Sequence, residues 1–194
     1  MNMKKIPTLF ERVFDGHKII DVLPNITTGC EDALLHGVPT VKIDGTCCAI
    51  INGTFYKRYD AKIGRKVPDG AIPCQNEADP ITGHWPHWLK VSKEKPEDKW
   101  LYIAHYNRAK PFDHDCTAEV FGKHINGNPY GMDHDEIEEH GKRVITDLAG
   151  RDFESIKQWL TDHNEEGIVF WLDGKPVCKI KRSDFGLPWG GKKR

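Results

Sequence analysis

Apolar and polar positions fall into recognisable patterns in only part of the chain. The clearest block is Thr46–Ile51 (TCCAII), apolar and β-branched, followed by Asn52 and Gly53 and then the alternating residues 54–59 (TFYKRY). Asn-Gly between two strand-like runs predicts a β-hairpin with a two-residue turn. The same arrangement returns near the end of the chain: Gly167–Leu172, then Asp173 and Gly174, then Lys175–Lys181. Between the two hairpins, residues 100–105 (WLYIAH) and 117–121 (TAEVF) read as strands, the second ended by Gly122, and 125–131 (INGNPYG) reads as turn. Residues 152–163 predict the best helix: Asp152 is the candidate N-cap, and Phe153, Ile156, Trp159 and Leu160 fall on one face. Residues 1–40 show no clear period. Residues 60–98 carry so many glycines and prolines that a loop-rich insertion is expected, anchored by Trp85 and Trp88. Strands outnumber helices and hairpins join them, which implies an α+β fold with antiparallel pairing.

The second hairpin can be registered. A loop at 173–174 opposes Leu172 and Lys175 and, stepping outward, Ile168 with Lys179 and Glu166 with Lys181. Side chains alternate between faces. Glu166, Ile168 and Phe170 would then share a face with Lys179 and Lys181. Val169, Trp171, Cys178 and Ile180 would form the core side. The charged face reads either as a cross-strand ion pair on a solvated surface, worth about 0.2–1 kcal/mol, or as a grip on a phosphate and a sugar hydroxyl. The first hairpin leaves similar alternatives. Lys42, Ile43, Asp44, Gly45 and Thr46 lead into it, and Arg58 lies opposite Cys47. Strict alternation puts Lys42 and Arg58 on opposite faces, unless Gly45 bends the strand. Lys42 is either a solvated side chain or, with Asp44 and Gly45 fixing a turn after it, a positioned nucleophile.

Composition narrows the classes. The chain has 194 residues, 38% of them hydrophobic, enough for a core and too many for a disordered chain. Its 28 basic and 29 acidic residues give a net charge of −1, so contact with nucleic acid would have to come from a local basic patch. The segment ending in Lys192, Lys193 and Arg194 is one such patch and is expected to fray. No apolar run approaches the roughly 18 residues of a membrane span, and the N-terminus lacks the layout of a signal peptide. The six cysteines form no C-x-x-C pair, which favours an intracellular, reduced, cytoplasmic setting. His84, His87 and Cys74 suggest zinc only weakly, because their spacing matches no common zinc pattern. Cys47 and Cys48 read as strand packing.

The motifs, taken together, resemble a known family. Lys42 to Thr46 (KIDGT) looks like the K-x-D-G motif of the covalent nucleotidyltransferases, the DNA ligases, RNA ligases and mRNA capping enzymes. Arg58 resembles the arginine after their first hairpin, and Glu119 in AEVFG the glutamate of their third motif. Glu166 in EGIV resembles their fourth motif, and Lys179 and Lys181 in KIK their fifth. KIDGTCC, INGNPYG and the late Gly186, Leu187 and Trp189 narrow the likeness to the small vertebrate-type ATP-dependent 5′-3′ RNA ligases. The resemblance implies a single adenylation domain over 1–194, of antiparallel sheets with flanking helices, the nucleotide between sheets, and no C-terminal OB domain. It implies Lys42 as nucleophile toward ATP and transfer of AMP to an RNA 5′-phosphate. A 3′-hydroxyl then displaces the AMP. Lys179, Lys181 and Mg²⁺ (or Mn²⁺) would stabilise charge on the phosphates. Glu166 would orient Lys42 or a metal-bound water, Arg58 and Glu119 would handle ribose and end phosphate, and main chain at Thr40 and Val41 would meet adenine. The alternatives are a nick-sealing DNA ligase, a capping-type guanylyltransferase, or a non-catalytic nucleotide- or RNA-binding module.

Overall fold

The structure is a computed structural model that describes residues 3–16, 18–62, 64–80 and 82–190. Lys192, Lys193 and Arg194 of the basic tail lie outside them. Along the chain run β1 (Phe10–Asp15), β2 (Lys18–Ile26), α1 (Glu31–His36), β3 (Val38–Lys42), β4 (Thr46–Ile51), β5 (Thr54–Lys62), β6 (Ile72–Pro73), β7 (His84–Lys90), α2 (Lys99–Tyr106), β8 (Cys116–Gly122), β9 (Asp135–Glu139), α3 (Phe153–Asp162), β10 (Gly167–Leu172) and β11 (Lys175–Lys181). The strand ladders are antiparallel, so the fold is mixed α+β, as expected. The chain divides into two compact units: residues 1–5 with 44–140, and 6–43 with 141–194.

The first unit is built on a six-stranded sheet in the order β6-β7-β5-β4-β8-β9. Its first hairpin forms as predicted. Asn52 and Gly53 both take positive φ, 49° and 69°, the conformation a two-residue turn needs to match strand twist. Cys48, Ile50, Ala118 and Val120 point to one side and bury against Leu101 and Ala104 of α2. Two expectations fail here. Residues 100–105 are helical, because the buried positions are Leu101 and Ala104, three apart, and not the alternate residues a strand would bury. Residues 84–90, expected as loop, form β7 against β5. Pro86 is tolerated because its carbonyl faces the β6 side, where it accepts the Cys74 N–H at 2.9 Å. The absent N–H therefore falls where no ladder bond is needed.

The second unit contains the β1–β2 pair and a three-stranded sheet in the order β11-β10-β3. Helix α3 begins as predicted, with Asp152 accepting the Ser155 N–H at 3.0 Å, and buries Ile156, Trp159 and Leu160. The second hairpin has the predicted strands and turn, with Asp173 at φ 51° and Gly174 at 70°. Its register differs from the expectation. Trp171 opposes Pro176 but Phe170 opposes Cys178, so Val177 is an extra, bulged residue. Beyond it Ile168 pairs with Ile180, Val169 with Lys179 and Gly167 with Lys181. Ile168, Phe170, Cys178 and Ile180 are all fully buried, and only the bulge puts these four on one face. The expected grouping of Ile168 and Phe170 with the two lysines is therefore reversed.

Gly167 sits where this sheet is most crowded. A Cβ there would lie 2.2 Å from the Ile180 carbonyl oxygen and 3.1 Å from Lys181 Cα. Gly167→Ala is expected to lower stability in urea unfolding by on the order of 3 kcal/mol. Gly174→Ala, where the added carbon meets open space and only a positive φ is strained, should cost about 1–2 kcal/mol.

Candidate functional site

The three-stranded sheet brings the lysines together. Across its strands Lys42, Gly167 and Lys181 form one row, and Thr40, Val169 and Lys179 the next. Directly opposed residues share a face, so Lys42, Lys179 and Lys181 project from the same side. Gly167, between Lys42 and Lys181, adds no side chain to that row. Glu166 stands just before β10 at a bend, which frees its side chain from the strand's alternation. Its carboxylate accepts from Lys42 Nζ through Oε2 and lies 3.5 Å from Lys181 Nζ through Oε1. The cluster is largely sheltered: Glu166 is 8% exposed.

Several residues hold this geometry. The Arg182 N–H donates to the Glu166 carbonyl at 2.9 Å, and its buried guanidinium bonds the carbonyls of Leu160, His163 and Pro188. The end of α3 and the start of β10 are thus fixed to one residue, the first through its guanidinium and the second through its main-chain N–H. Asp184 accepts the Lys181 N–H at 2.9 Å and pairs with Arg12 at 2.6 Å. Thr40 is buried; its hydroxyl donates to the Val169 carbonyl at 3.2 Å and accepts from Trp171 Nε1 at 3.0 Å. The Val41 N–H donates to the Arg143 carbonyl at 2.9 Å. Sequence reasoning missed Arg182, Asp184 and Trp171, whose roles depend on pairings that no local motif announces. Gly167 had a local signal, a glycine opening an apolar strand.

Charge accumulates on this face. Burial, then the charges of Lys42 and Lys181, pull Lys179 down from an ordinary 10.5 to about 8, against the opposing pull of Glu166. A sheltered set of three lysines with one carboxylate is suited to a polyanion, above all to phosphate oxygens. Two of its amines, those of Lys42 and Lys181, already face the Glu166 carboxylate, and Lys42 makes the closer contact.

Arg58 and Glu119 belong to the other unit. Cys47 faces Glu119 across β4 and β8, and Arg58 stands opposite Trp88 on β5 and β7. Lys42 and Arg58 thus sit in different sheets, and alternation along one strand does not relate them. Glu119 is 8% exposed and its Oε2 lies 2.9 Å from His140 Nε2. His140 was not foreseen: it follows β9, whose sequence (DEIEE) has no strand signature beyond Ile137. Burial and the Glu119 charge push the Cys47 thiol up, and burial pushes the Cys48 thiol up as well, the condition of inert packing cysteines. His84 and His87 point to opposite faces of β7: His84 binds Asp60 at 2.5 Å and buried His87 binds the Trp85 carbonyl at 2.8 Å. They do not form a joint metal site.

The fold and this face define an α+β protein that gathers three lysines and a glutamate on one sheltered sheet face. Comparison with known proteins makes the class specific. The family model of RNA ligase 1 matches residues 89–194, a span that holds Glu119, Glu166, Lys179 and Lys181, and the chain belongs to that family. It is 24% identical to RNA ligase 1 of Mus musculus over 79% of this chain and 68% of that protein. It is 25% identical to RNA ligase 1 of Pongo abelii over 78% and 68%. It is 33% identical to RNA ligase 1 of Danio rerio over a shorter stretch, 38% of this chain and 25% of that protein.

The low value of Lys179 gives a pH signature. A lysine is cationic below its pKa and neutral above it, so affinity for an anion should fall as pH rises through about 8. With ATP, whose own charge is constant above about pH 7.5, the fall should be seen between about pH 7.5 and 9.5. Isothermal titration should show Lys179→Met binding ATP more weakly and with a flat profile over that range.

Proposed function

We propose that this chain is an ATP-dependent RNA ligase that joins 5′-phosphate and 3′-hydroxyl ends through lysyl-AMP and RNA-adenylate intermediates, as a nucleotidyltransferase adenylation domain. The observation that carries the reading is Lys42 held by Glu166, with Lys179 and Lys181 on the same face, in a member of the RNA ligase 1 family.

The first step forms a bond between Lys42 Nζ and the α-phosphorus of ATP and breaks the bond to the pyrophosphate oxygen. Pyrophosphate leaves with the electron pair. The amine must shed a proton to attack, and Glu166 is the acceptor in contact with it. Negative charge grows on the phosphate oxygens and the leaving pyrophosphate. Lys179 and Lys181, fixed on neighbouring positions of one strand face, offset that charge without reorganising. An oxygen of the RNA 5′-phosphate then attacks the adenylate phosphorus and breaks its bond to Lys42 Nζ, which leaves as the amine; the RNA 3′-hydroxyl attacks the activated 5′-phosphorus, forming a phosphodiester and releasing AMP. Mg²⁺ (or Mn²⁺), when bound with the triphosphate, neutralises phosphate charge. The donor set fits such an ion only indirectly: Glu166 already pairs with two ammonium groups, so it would hold the ion through water. Arg58 and Glu119 handle the ribose and the end phosphate in this reading, and main chain near Thr40 and Val41 meets the adenine. Among the described residues no helix is long and apolar enough to cross a membrane.

Incubation with α-labelled ATP and Mg²⁺, followed by denaturation, should leave label on the protein. Lys42→Ala should remove it. So should Lys42→Arg, because arginine is not deprotonated in proteins. In single-turnover measurements Lys179→Ala and Lys181→Ala should each slow labelling by about 10²-fold or more, while Lys175→Ala on the exposed end of β11 leaves it unchanged. Label from GTP in place of ATP would mark a capping-type enzyme, and label from neither a binding module.

A further inference from the structure

We propose that His114, Cys116 and Glu139 form a zinc site that ties the segment leading into β8 to the end of β9. One ligand atom from each of the three residues lies within 4.8 Å of those of the other two. The pairing of Ala118 with Glu139 sets Cys116, two residues earlier on β8, on the same face as Glu139. His114 reaches the pair from the preceding segment.

Two features separate this trio from a chance cluster. His114 Nε2 stands 3.4 Å from Glu139 Oε2, outside the usual 2.7–3.2 Å of a hydrogen bond to nitrogen. It is the edge of a tetrahedron: ligands at about 2.0–2.1 Å from one zinc ion lie about 3.4 Å apart. The other ring nitrogen, Nδ1, lies 2.7 Å from Asp113 Oδ1. A carboxylate on the second nitrogen is the usual companion of a metal-binding histidine, because it fixes the tautomer that aims the other nitrogen's lone pair outward. On the other side Nε2 faces the Glu139 carboxylate, with the Cys116 sulfur within 4.8 Å. The two carboxylates raise the proton affinity of this imidazole, and a cation that took the place of the Nε2 proton would meet nitrogen, oxygen and sulfur donors together.

The donor chemistry selects the ion. Sulfur, imidazole nitrogen and carboxylate oxygen suit zinc, whereas magnesium and calcium take oxygen ligands. Three protein ligands leave the fourth position to water, and the His114 side chain is 52% exposed, so the ion has a path in. The site braces the strand ends that carry Glu119, three residues beyond Cys116, and His140, next to Glu139. A second sulfur, nitrogen and oxygen trio, Cys47 with Glu119 and His140, lacks these features. Its histidine is taken up on both ring nitrogens at hydrogen-bond distance, by Glu119 at 2.9 Å and by the Thr117 hydroxyl at 3.0 Å, and the Arg58 charge acts on its thiol, which disfavours a second cation.

The test uses the full chain, stripped with a chelator and titrated with Zn²⁺ against a chromophoric zinc indicator. One equivalent should bind, and Co²⁺ in its place should give a thiolate-to-metal charge-transfer band. His114→Ala and Glu139→Gln, changes at partly exposed positions, should each weaken zinc at least tenfold, and Asp113→Asn by about tenfold through the orientation of His114. Cys116→Ser should abolish the cobalt band; Cys47→Ser should keep both band and affinity. Zinc should raise the melting temperature of the wild type but not of His114→Ala. Unchanged zinc affinity in His114→Ala and Glu139→Gln, loss of the site in Cys47→Ser, or no stoichiometric binding at all would overturn the proposal. The readout is metal binding, so its failure is separable from failure of the ligase reading, which labelling from ATP reports.

Discussion

One extra residue in one strand decides what the second unit can do. Val177 bulges from β11 opposite the step between Phe170 and Trp171. Without it, the turn at Asp173 and Gly174 would set Lys179 opposite Ile168 and divide the core residues between the two faces. With it, Ile168, Phe170, Cys178 and Ile180 bury together, and Lys179 and Lys181 come to the face that already carries Lys42. The driving force is apolar burial, about 1.5–3 kcal/mol for each large side chain, which outweighs the ladder bond that a bulge disturbs. The basic face is a by-product of packing the core.

Like charges on a sheltered face carry a cost, and the structure shows how it is met. Glu166 lies between two of the lysines, Asp184 pairs with Arg12, and Lys179 gives up much of its affinity for a proton. The depressed value has a definite sign for stability. While pH is below about 8, Lys179 is charged both folded and unfolded, and the fold bears the full desolvation penalty. Between about 8 and the ordinary 10.5 the unfolded chain holds more protons, so this group's contribution to stability rises with pH. A bound phosphate would relieve the same penalty at neutral pH by supplying the missing countercharge. The arrangement is thus more favourable liganded than free, as expected of a site in which stability is traded for function.

Much of the frame was legible in the sequence, and for local reasons. Asn52 with Gly53 and Asp173 with Gly174 specify turns by their own backbone preferences, and Asp152 caps α3 with its own side chain. What was not legible depends on partners distant in sequence. The bulge at Val177 follows from the demand of the core for Cys178 and Ile180, which no turn rule contains. Residues 100–105 are rich in strand formers, yet they wind into α2 because Leu101 and Ala104 must meet one sheet face. β7 survives an internal proline because its neighbour β6 is too short to need that N–H. β9 is nearly all acidic, and β1 and β2 pair irregularly with Val22 the one fully buried position of β2, so neither shows a period. Of the candidate site, the lysines and Glu166 stood out by motif, but the register that unites them did not, and neither did Arg182, which anchors Glu166.

The chemistry proposed for this chain rests on one nitrogen, Lys42 Nζ, which shares its sheet face with Lys179 and Lys181 and contacts Glu166. Its most direct test is to let the wild-type protein react with ATP and Mg²⁺, digest it under conditions that preserve phosphoramidates, and locate the adenylate by tandem mass spectrometry. The mass of one AMP is expected on the peptide containing Lys42, with Lys179 and Lys181 unmodified. An adenylate on Lys179 or Lys181 with Lys42 bare, or no adenylate on any peptide, would contradict it.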